Sequence, residues 1–293
     1  MPSISFDRVA HAYDATRGYP PGIDQHIAKA IVDTVRATSE TTFMEVGIGT
    51  GRIALPLASL GYTYTGVDIS ENMVEQLATK LLQNGWQKYQ QVWGSLPDEN
   101  AISAHPVSRY KNTSKNASMR LVLSDMTALP FRDAAFDVVI AVHVFHLVDG
   151  WQRALLETLR VIRPGGVFLH CWDEFVNAER WPVGETWGKI VRELGGEVKR
   201  PGTDERSEVT TWLKDHALQP QEFPVVQWEV SQTPRESLEQ VTRRLWSSTW
   251  VVPDDIFAES IVRLESWAKD YFGADIDRQF KGTRQFVICK TEV

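Results

Sequence analysis

The feature that most constrains this chain is a glycine-spaced turn, Gly47-Ile48-Gly49-Thr50-Gly51, set directly after the short apolar run Thr42-Phe43-Met44-Glu45-Val46. Glycines at alternate positions let the backbone turn sharply and approach a ligand more closely than a Cβ permits. Helical periodicity resumes at Ile53 to Ala58, with Pro56 in the first turns, where a helix tolerates proline. The next run, Tyr62 to Val67, is rich in β-branched and aromatic residues and ends on Asp68, 21 residues beyond Gly47. A carboxylate at that point can accept two hydrogen bonds from a ribose diol. Strand, glycine turn, helix, strand and acid together predict a nucleotide-like ligand.

The same alternation continues along the chain. Ile23, Ile27, Ile31 and Val35 form an apolar stripe at four-residue spacing, and Met73, Leu77 and Leu81 form another after Ser70. Leu121 to Leu123 and Phe136 to Val142 read as further strands. Asp149 and Gln152 have the spacing of a capping box for a helix carrying Leu155, Leu159 and Ile162. Arg163-Pro164-Gly165-Gly166 then turns the chain into the strand Val167 to His170. The expectation is an α/β fold with a doubly wound, mostly parallel sheet and helices on both faces. All of 1–293 is read as one domain. It has an N-terminal helical segment (1–40), a ligand-binding core (41–170) and a C-terminal part (171–293) with a helical cap and the last strands. Residues 85–119 interrupt the alternation with polar, turn-rich sequence, and are expected to form a surface insertion, as a lid or a passive loop. Thr233-Pro234-Arg235-Glu236 is a helix start with N-cap, proline at the first position and capping-box glutamate. Gln221 to Val230 and Arg284 to Lys290 look like strands flanking the cap.

Composition narrows the partners. Apolar residues are 43% and charged residues 24%, as in ordinary soluble proteins. Two cysteines, Cys171 and Cys289, lie outside any CxxC or Cys/His cluster, which argues for a reducing compartment and against a bound metal. No apolar stretch at Met1 to Arg8 has signal-peptide length, and no run of about 18 apolar residues occurs elsewhere. A cytoplasmic chain without a membrane span is expected. The formal net charge of −7 disfavours nucleic acid as a partner.

A dinucleotide fingerprint wants a third glycine where this chain has Arg52, and the acid Glu45 before the turn would face a pyrophosphate unfavourably. S-adenosylmethionine, with its sulfonium and ammonium, suits acids around such a turn. Five ordered segments resemble the class I S-adenosylmethionine-dependent methyltransferases, in the methyltransferase type 11, UbiE-like branch that acts on small molecules. They are Phe43 to Arg52, Gly66 to Met73, Asp125 to Phe131, Phe136 to Val139 and Leu159 to Gly166. The resemblance spans about residues 6–170, apart from the insertion at 85–119, and implies a Rossmann-like, seven-stranded sheet.

It further implies that Glu45, Gly47, Gly49 and Gly51 hold the methionine end and Asp68 the ribose. Ile69 and Met73 would flank the adenine, and Asp125, with Met126 beside it, would accept from its amine. The segment Phe6-Asp7-x-x-Ala10-x-x-Tyr13-Asp14-x-x-Arg17 resembles the family's N-terminal helix over the cofactor. Tyr13 would cover the sulfonium and Arg17 would pair with a carboxylate. His143 and His146 follow the fourth strand, beside the methyl group in the family. His143 can line the cofactor, and either ring can serve as a base for a hydroxyl or amine acceptor.

Methyl transfer is a direct displacement with a neutral leaving group, so no catalytic triad is required. The acceptor expected is a small molecule, enclosed by tryptophans of the C-terminal part such as Trp172, Trp181, Trp187, Trp246 and Trp250. An arginine of Arg243-Arg244 facing that pocket would favour an acidic acceptor. A macromolecular acceptor such as tRNA, a non-catalytic binder of the same cofactor and a nucleotide-dependent oxidoreductase remain as alternatives. The oligomeric state is left open.

Overall fold

The structure, a computed structural model, describes residues 3–92, 106–177 and 182–293. Two N-terminal helices, α1 (Ala10–Arg17) and α2 (Ile23–Val35), precede β1 (Thr42–Val46), α3 (Ala54–Ser59), β2 (Thr63–Asp68) and α4 (Glu71–Gln83). The edge strands β3 (Gln87–Val92) and β4 (Val107–Asn112) follow, then β5 (Ala117–Leu123), β6 (Phe136–Val142), α5 (Trp151–Arg160) and β7 (Ile162–Asn177). The C-terminal part comprises α6 (Val183–Glu193), α7 (Ser207–Asp215), β8 (Gln221–Gln232), α8 (Pro234–Thr242), α9 (Asp254–Phe272) and β9 (Phe280–Glu292).

These strands form one sheet in the order β3-β4-β5-β2-β1-β6-β7-β9-β8. The five central strands, β5 to β7 in that order, run parallel, and the pairs at both flanks are antiparallel. The α/β, doubly wound expectation holds, but the sheet has nine strands where seven were expected. Part of the difference lies in the insertion. Two stretches of 85–119 are not loop: β3 and β4 add antiparallel strands beside β5, which itself begins inside that range. In β4, Tyr110 and Asn112 are buried while Lys111 between them is exposed, so a strand period of two is present under a polar composition. The turn-rich stretch Gly94 to Asn100 lies outside the described residues.

Helices cover both faces. On one, Ile27 and Ile31 of α2, Leu57 of α3, and Leu77 and Leu81 of α4 bury against Tyr64 and Phe43. On the other, Leu155 of α5 and Leu213 of α7 pack with Val46, Phe136 and Phe168. α6, α8 and α9 build a separate cap core around Trp187, Val191, Val241 and Leu264. Trp187 donates from Nε1 to Ser260 Oγ at 3.0 Å, so its polar atom is satisfied inside that core. The capping box at Thr233 and Glu236 forms as expected. The one at Asp149 and Gln152 does not: Gly150, with φ of 72°, is the N-cap of α5 and no side chain caps it. No helix among the described residues is long and apolar enough to cross a membrane.

β1 lies between β2 and β6, and the chain winds outward first on one side of it and then on the other. In open α/β sheets, ligands bind at the carboxyl ends of the strands beside such a reversal. Register sharpens the geometry there. Glu45 pairs with Gly66 and Val46 with Val67, and the amides of Gly47 and Ile48 both donate to the Val67 carbonyl, at 2.8 and 3.0 Å. The turn is thereby pinned across β2. Gly66 is required for this approach, since a Cβ would lie 1.9 Å from Ile48 Cδ1. Gly66→Ala should therefore destabilise the fold by about 1–3 kcal/mol through overpacking, read as a lowered urea midpoint. An unchanged midpoint would show that the turn is free to shift.

Candidate active site

A cleft opens at the carboxyl ends of β1, β2, β5 and β6. Gly47 and Gly49 form its floor, Asp68 and Asp125 its polar walls, and Ile69, Met73, Met126 and Val144 its apolar slot. Asp68 closes β2. Its Oδ2 accepts from the Gly49 amide at 2.7 Å and its Oδ1 from the Ser70 amide at 2.8 Å, so it ties the glycine turn to the start of α4. Burial pushes its pKa up to about 6, against the lowering pull of those two amides. Asp125 follows β5. Its Oδ1 accepts from the Thr127 amide at 2.8 Å in an Asx turn, leaving Oδ2 for other partners. Met73 reaches the slot because Ser70 caps α4 through the Met73 amide.

The N-terminal segment closes over this cleft. Asp7 Oδ1 accepts from Ser70 Oγ at 2.6 Å and from the Asn72 amide at 3.0 Å, a favourable position for a carboxylate at a helix N-terminus. Burial raises the Asp7 carboxyl, but bonds from Ser5 Oγ, Ser70 Oγ and the Asn72 amide outweigh it and hold the group below its usual range. The Ile4 amide donates to the Leu147 carbonyl at 2.8 Å on the opposite side. Asp14 of α1 accepts from Thr50 Oγ1 at 2.6 Å and pairs with Lys80 at 2.5 Å. Phe6 packs edge-on against Tyr13 and Trp250, joining this segment to the cap.

A second, broader cleft of about 3120 Å³, counting its open mouth, lies between the sheet and the cap helices. Phe6, Tyr13 and His143 line both clefts and so mark their junction. His143 adopts a positive φ of 50° at the end of β6, a conformation that costs a non-glycine residue about 1–2 kcal/mol. Such strain persists only where the surroundings enforce it. Here His143 Nε2 lies 2.8 Å from Asp173 Oδ1 and 3.0 Å from the Asp173 amide. Burial keeps the ring's pKa below its ordinary value although Asp173 pulls it up. His146 is held further down by burial and by Arg200, His143 and Arg17.

Asp173, in β7 two residues past its last pairing with β6, also pairs directly with Arg284 of β9 and lies 4.0 Å from Arg52. Burial alone would raise its pKa, but His143, Arg284 and Arg52 hold it well below the usual carboxylate range. Arg52 donates to the Arg17 carbonyl at 2.5 Å and stacks over Tyr19 at 4.8 Å.

The structure brings Gly47, Gly49, Asp68, Ile69, Met73, Asp125, Met126, Tyr13 and His143 to the first cleft. It places four of the sequence candidates elsewhere. Glu45 is buried behind the turn, accepting from Tyr64 Oη at 2.8 Å, and burial pushes its pKa up to about 8. Gly51 gives room to α4, since a Cβ there would meet Leu77 Cδ1 at 2.5 Å. Arg17 faces the second cleft, as does His146. Of the tryptophans, Trp246 lines that cleft and Trp187 packs the cap core, while Trp181 lies outside the described residues. Arg243 lines the cleft, whereas Arg244 pairs with Asp254 and stacks on Phe257. Residue reasoning missed Asp173, Arg200 and Arg284. An acid closing the strand after His170 was the available signal for Asp173.

Comparison with known proteins identifies one domain. Residues 44–170 match the methyltransferase domain family. A demethylmenaquinone methyltransferase of Tropheryma whipplei (strain Twist) is 28% identical over 177 residues, covering 60% of this chain and 59% of that protein. A phthiotriol/phenolphthiotriol dimycocerosates methyltransferase of Mycobacterium ulcerans is 34% identical over 102 residues, 33% of this chain and 37% of that one. The chain thus spans well under two thirds of these relatives' lengths. In fold, BH2331 of Bacillus halodurans superposes with a TM-score of 0.53 at 14% identity, covering 91% of this chain and 97% of that one. YcgJ of Bacillus subtilis does so with 0.50 at 17%, with the same coverage of 91% and 97%. Residues 44–170 thus form a methyltransferase domain, and the fold around it is that of these solved structures.

The buried cluster at Asp173 carries a stability prediction. Asp173→Ala leaves Arg284 and Arg52 uncompensated and should cost about 3–5 kcal/mol in urea unfolding. Because the folded carboxyl titrates below its unfolded value, its contribution is complete above roughly pH 4 and is lost as pH falls below that. Asp173→Asn should flatten that acid limb of the stability profile. A wild-type limb in the variant would rule out the cluster as its source.

Proposed function

We propose that the chain transfers the methyl group of S-adenosylmethionine, bound in the first cleft, to a small molecule held beneath the cap. The observation that carries this reading is the charge of the first cleft. Its described lining holds two carboxylates, Asp68 and Asp125, and no lysine or arginine. A dinucleotide's pyrophosphate would meet no lysine or arginine there, whereas a sulfonium nucleoside meets two acids among aromatic and apolar groups, with Ser3 and Ser124 as the neutral polar side chains. The demethylmenaquinone and phthiotriol relatives, named for small-molecule acceptors, support the same acceptor class.

Each residue then has a role that its position allows. Asp68 accepts from the ribose hydroxyls, with Gly47 and Gly49 letting the backbone approach the methionine end. Ile69, Met73 and Met126 enclose the adenine, and the free Oδ2 of Asp125 accepts from its amine. Tyr13 and Phe6 screen the junction from water, which strengthens the electrostatics inside. The donor supplies an electrophilic methyl carbon, whose bond to sulfur breaks with the electron pair passing to sulfur. In the tautomer with its proton on Nε2, donated to the Asp173 carboxylate in place of the bond from the Asp173 amide, His143 at the junction takes the proton of an acceptor hydroxyl on Nδ1, and the carboxylate stabilises the imidazolium formed.

Demethylated cofactor should accumulate when the chain is incubated with S-adenosylmethionine and a panel of small hydroxylated acceptors, and no turnover with any acceptor would count against the reading. His143→Asn, a residue that tolerates the left-handed backbone, should lower kcat by roughly 10²–10⁴-fold. A kcat within twofold of wild type would remove His143 as the base. Since the diol needs an ionised carboxylate and Asp68 titrates at about 6, cofactor affinity should fall as pH drops through 6. Asp68→Asn should be weaker throughout and lose that pH dependence in calorimetric titrations.

A further inference from the structure

We propose that the cleft beneath the cap recognises an aromatic acceptor through an oxyanion on that acceptor, carboxylate or phosphate, held by a cluster of guanidinium groups. The proposal rests on reading this cleft as the acceptor site. Besides the exposed Arg243 and Lys281, four arginines from four separate parts of the chain line it: Arg17 of α1, Arg52 after the glycine turn, Arg200 between α6 and α7, and Arg284 of β9. Asp173 is the one carboxylate paired among them, and its two oxygens are already shared with His143 and Arg284. The remaining acids of the lining are committed or peripheral. Asp14 is paired with Lys80 and Thr50, Glu236 closes its capping box, and Glu185 and Glu239 are exposed.

The cluster therefore carries more positive charge than its surroundings balance. Arg200 has no ion pair or hydrogen bond among the described residues; Asp204 acts on it only at longer range. Burial depresses both Arg17 and Arg200, the response of a cation withdrawn from water without a close partner. Two further donors nearby are unsatisfied among the described residues: Tyr19 Oη and Arg284 Nε are buried without a hydrogen-bond partner. A buried donor left unpaired is costly, and a planar or tetrahedral oxyanion is the ligand that answers several guanidinium forks at once. Trp228, Trp246, Phe175 and Tyr13 line the same cleft and offer ring faces for an aromatic body.

The other possible source of an oxyanion is the methionine carboxylate of the donor. None of the four arginines lines the donor cleft, from which Phe6, Tyr13 and His143 separate them. The acceptor is thus the better fit. Both sources can be separated by calorimetry on the intact chain. One titration uses S-adenosylmethionine alone. The other uses protein saturated with S-adenosylhomocysteine and titrates 4-hydroxybenzoate and phenyl phosphate against their neutral counterparts, 4-hydroxybenzamide and phenol.

At least one anionic probe should bind roughly tenfold or more tightly than its neutral counterpart, the scale of one charge-assisted hydrogen bond. Arg200→Gln, which breaks no ion pair and so should fold normally by circular dichroism, should remove that preference and leave S-adenosylmethionine affinity within twofold. Equal binding of anionic and neutral probes, no binding of either anion, or an undiminished preference in Arg200→Gln would overturn the proposal. Arg17→Gln that weakens S-adenosylmethionine tenfold while sparing the anionic probes would reassign the cluster to the donor. Absence of S-adenosylmethionine binding to the wild type would instead strike the proposed function itself.

Discussion

Asp173 sits in β7 just past the end of its pairing with β6, where its oxygens are divided between Arg284 of β9 and the ring of His143 at the end of β6, with Arg52 after the glycine turn nearby. Through these contacts one carboxylate joins two neighbouring strands to the turn after β1. It also fixes the His143 ring at the junction of the two clefts, in a backbone conformation a histidine would not otherwise hold. Without Asp173, the guanidinium groups would repel each other at the base of the second cleft and the histidine would lose its orientation. The strain at His143 and the charge surplus beneath the cap both depend on it.

The two clefts separate charge. The one at the switch of the sheet presents carboxylates and an apolar slot, and suits a cationic donor. The one beneath the cap presents guanidinium groups and aromatic rings. Two ligands of opposite character would each be repelled from the wrong cleft, and the reacting atoms would meet where Tyr13 and His143 face both. Orientation of this kind is enough for a displacement that needs no acid on its leaving group.

Much of the first cleft was legible in the sequence, because close backbone approach and strand-end acids leave local marks. Gly47, Gly49 and Asp68 announce themselves by spacing, and Met73 by its place one turn after Ser70. The second cleft left almost none. Arg17, Arg52, Arg200 and Arg284 lie far apart in the chain and converge only through tertiary packing, and Arg52 was legible merely as a missing glycine. Glu45 had the right place for a ligand-facing acid, yet Tyr64 across the sheet takes it from behind the turn. β3 and β4, the outermost pair on that flank, were hidden by polar composition; in β4 only alternate side chains are buried. Gly150 displaced the capping box read at Asp149, because a left-handed glycine starts α5 without a side-chain cap.

The central claim is that the cleft at the carboxyl edge of β1 and β2, whose described lining holds no lysine or arginine, takes a sulfonium nucleoside. Calorimetric titration of the intact chain with S-adenosylmethionine, and separately with NAD, tests it most directly. The account predicts saturable one-to-one binding of S-adenosylmethionine and no measurable heat of binding with NAD. Tight binding of NAD with none of S-adenosylmethionine would contradict it.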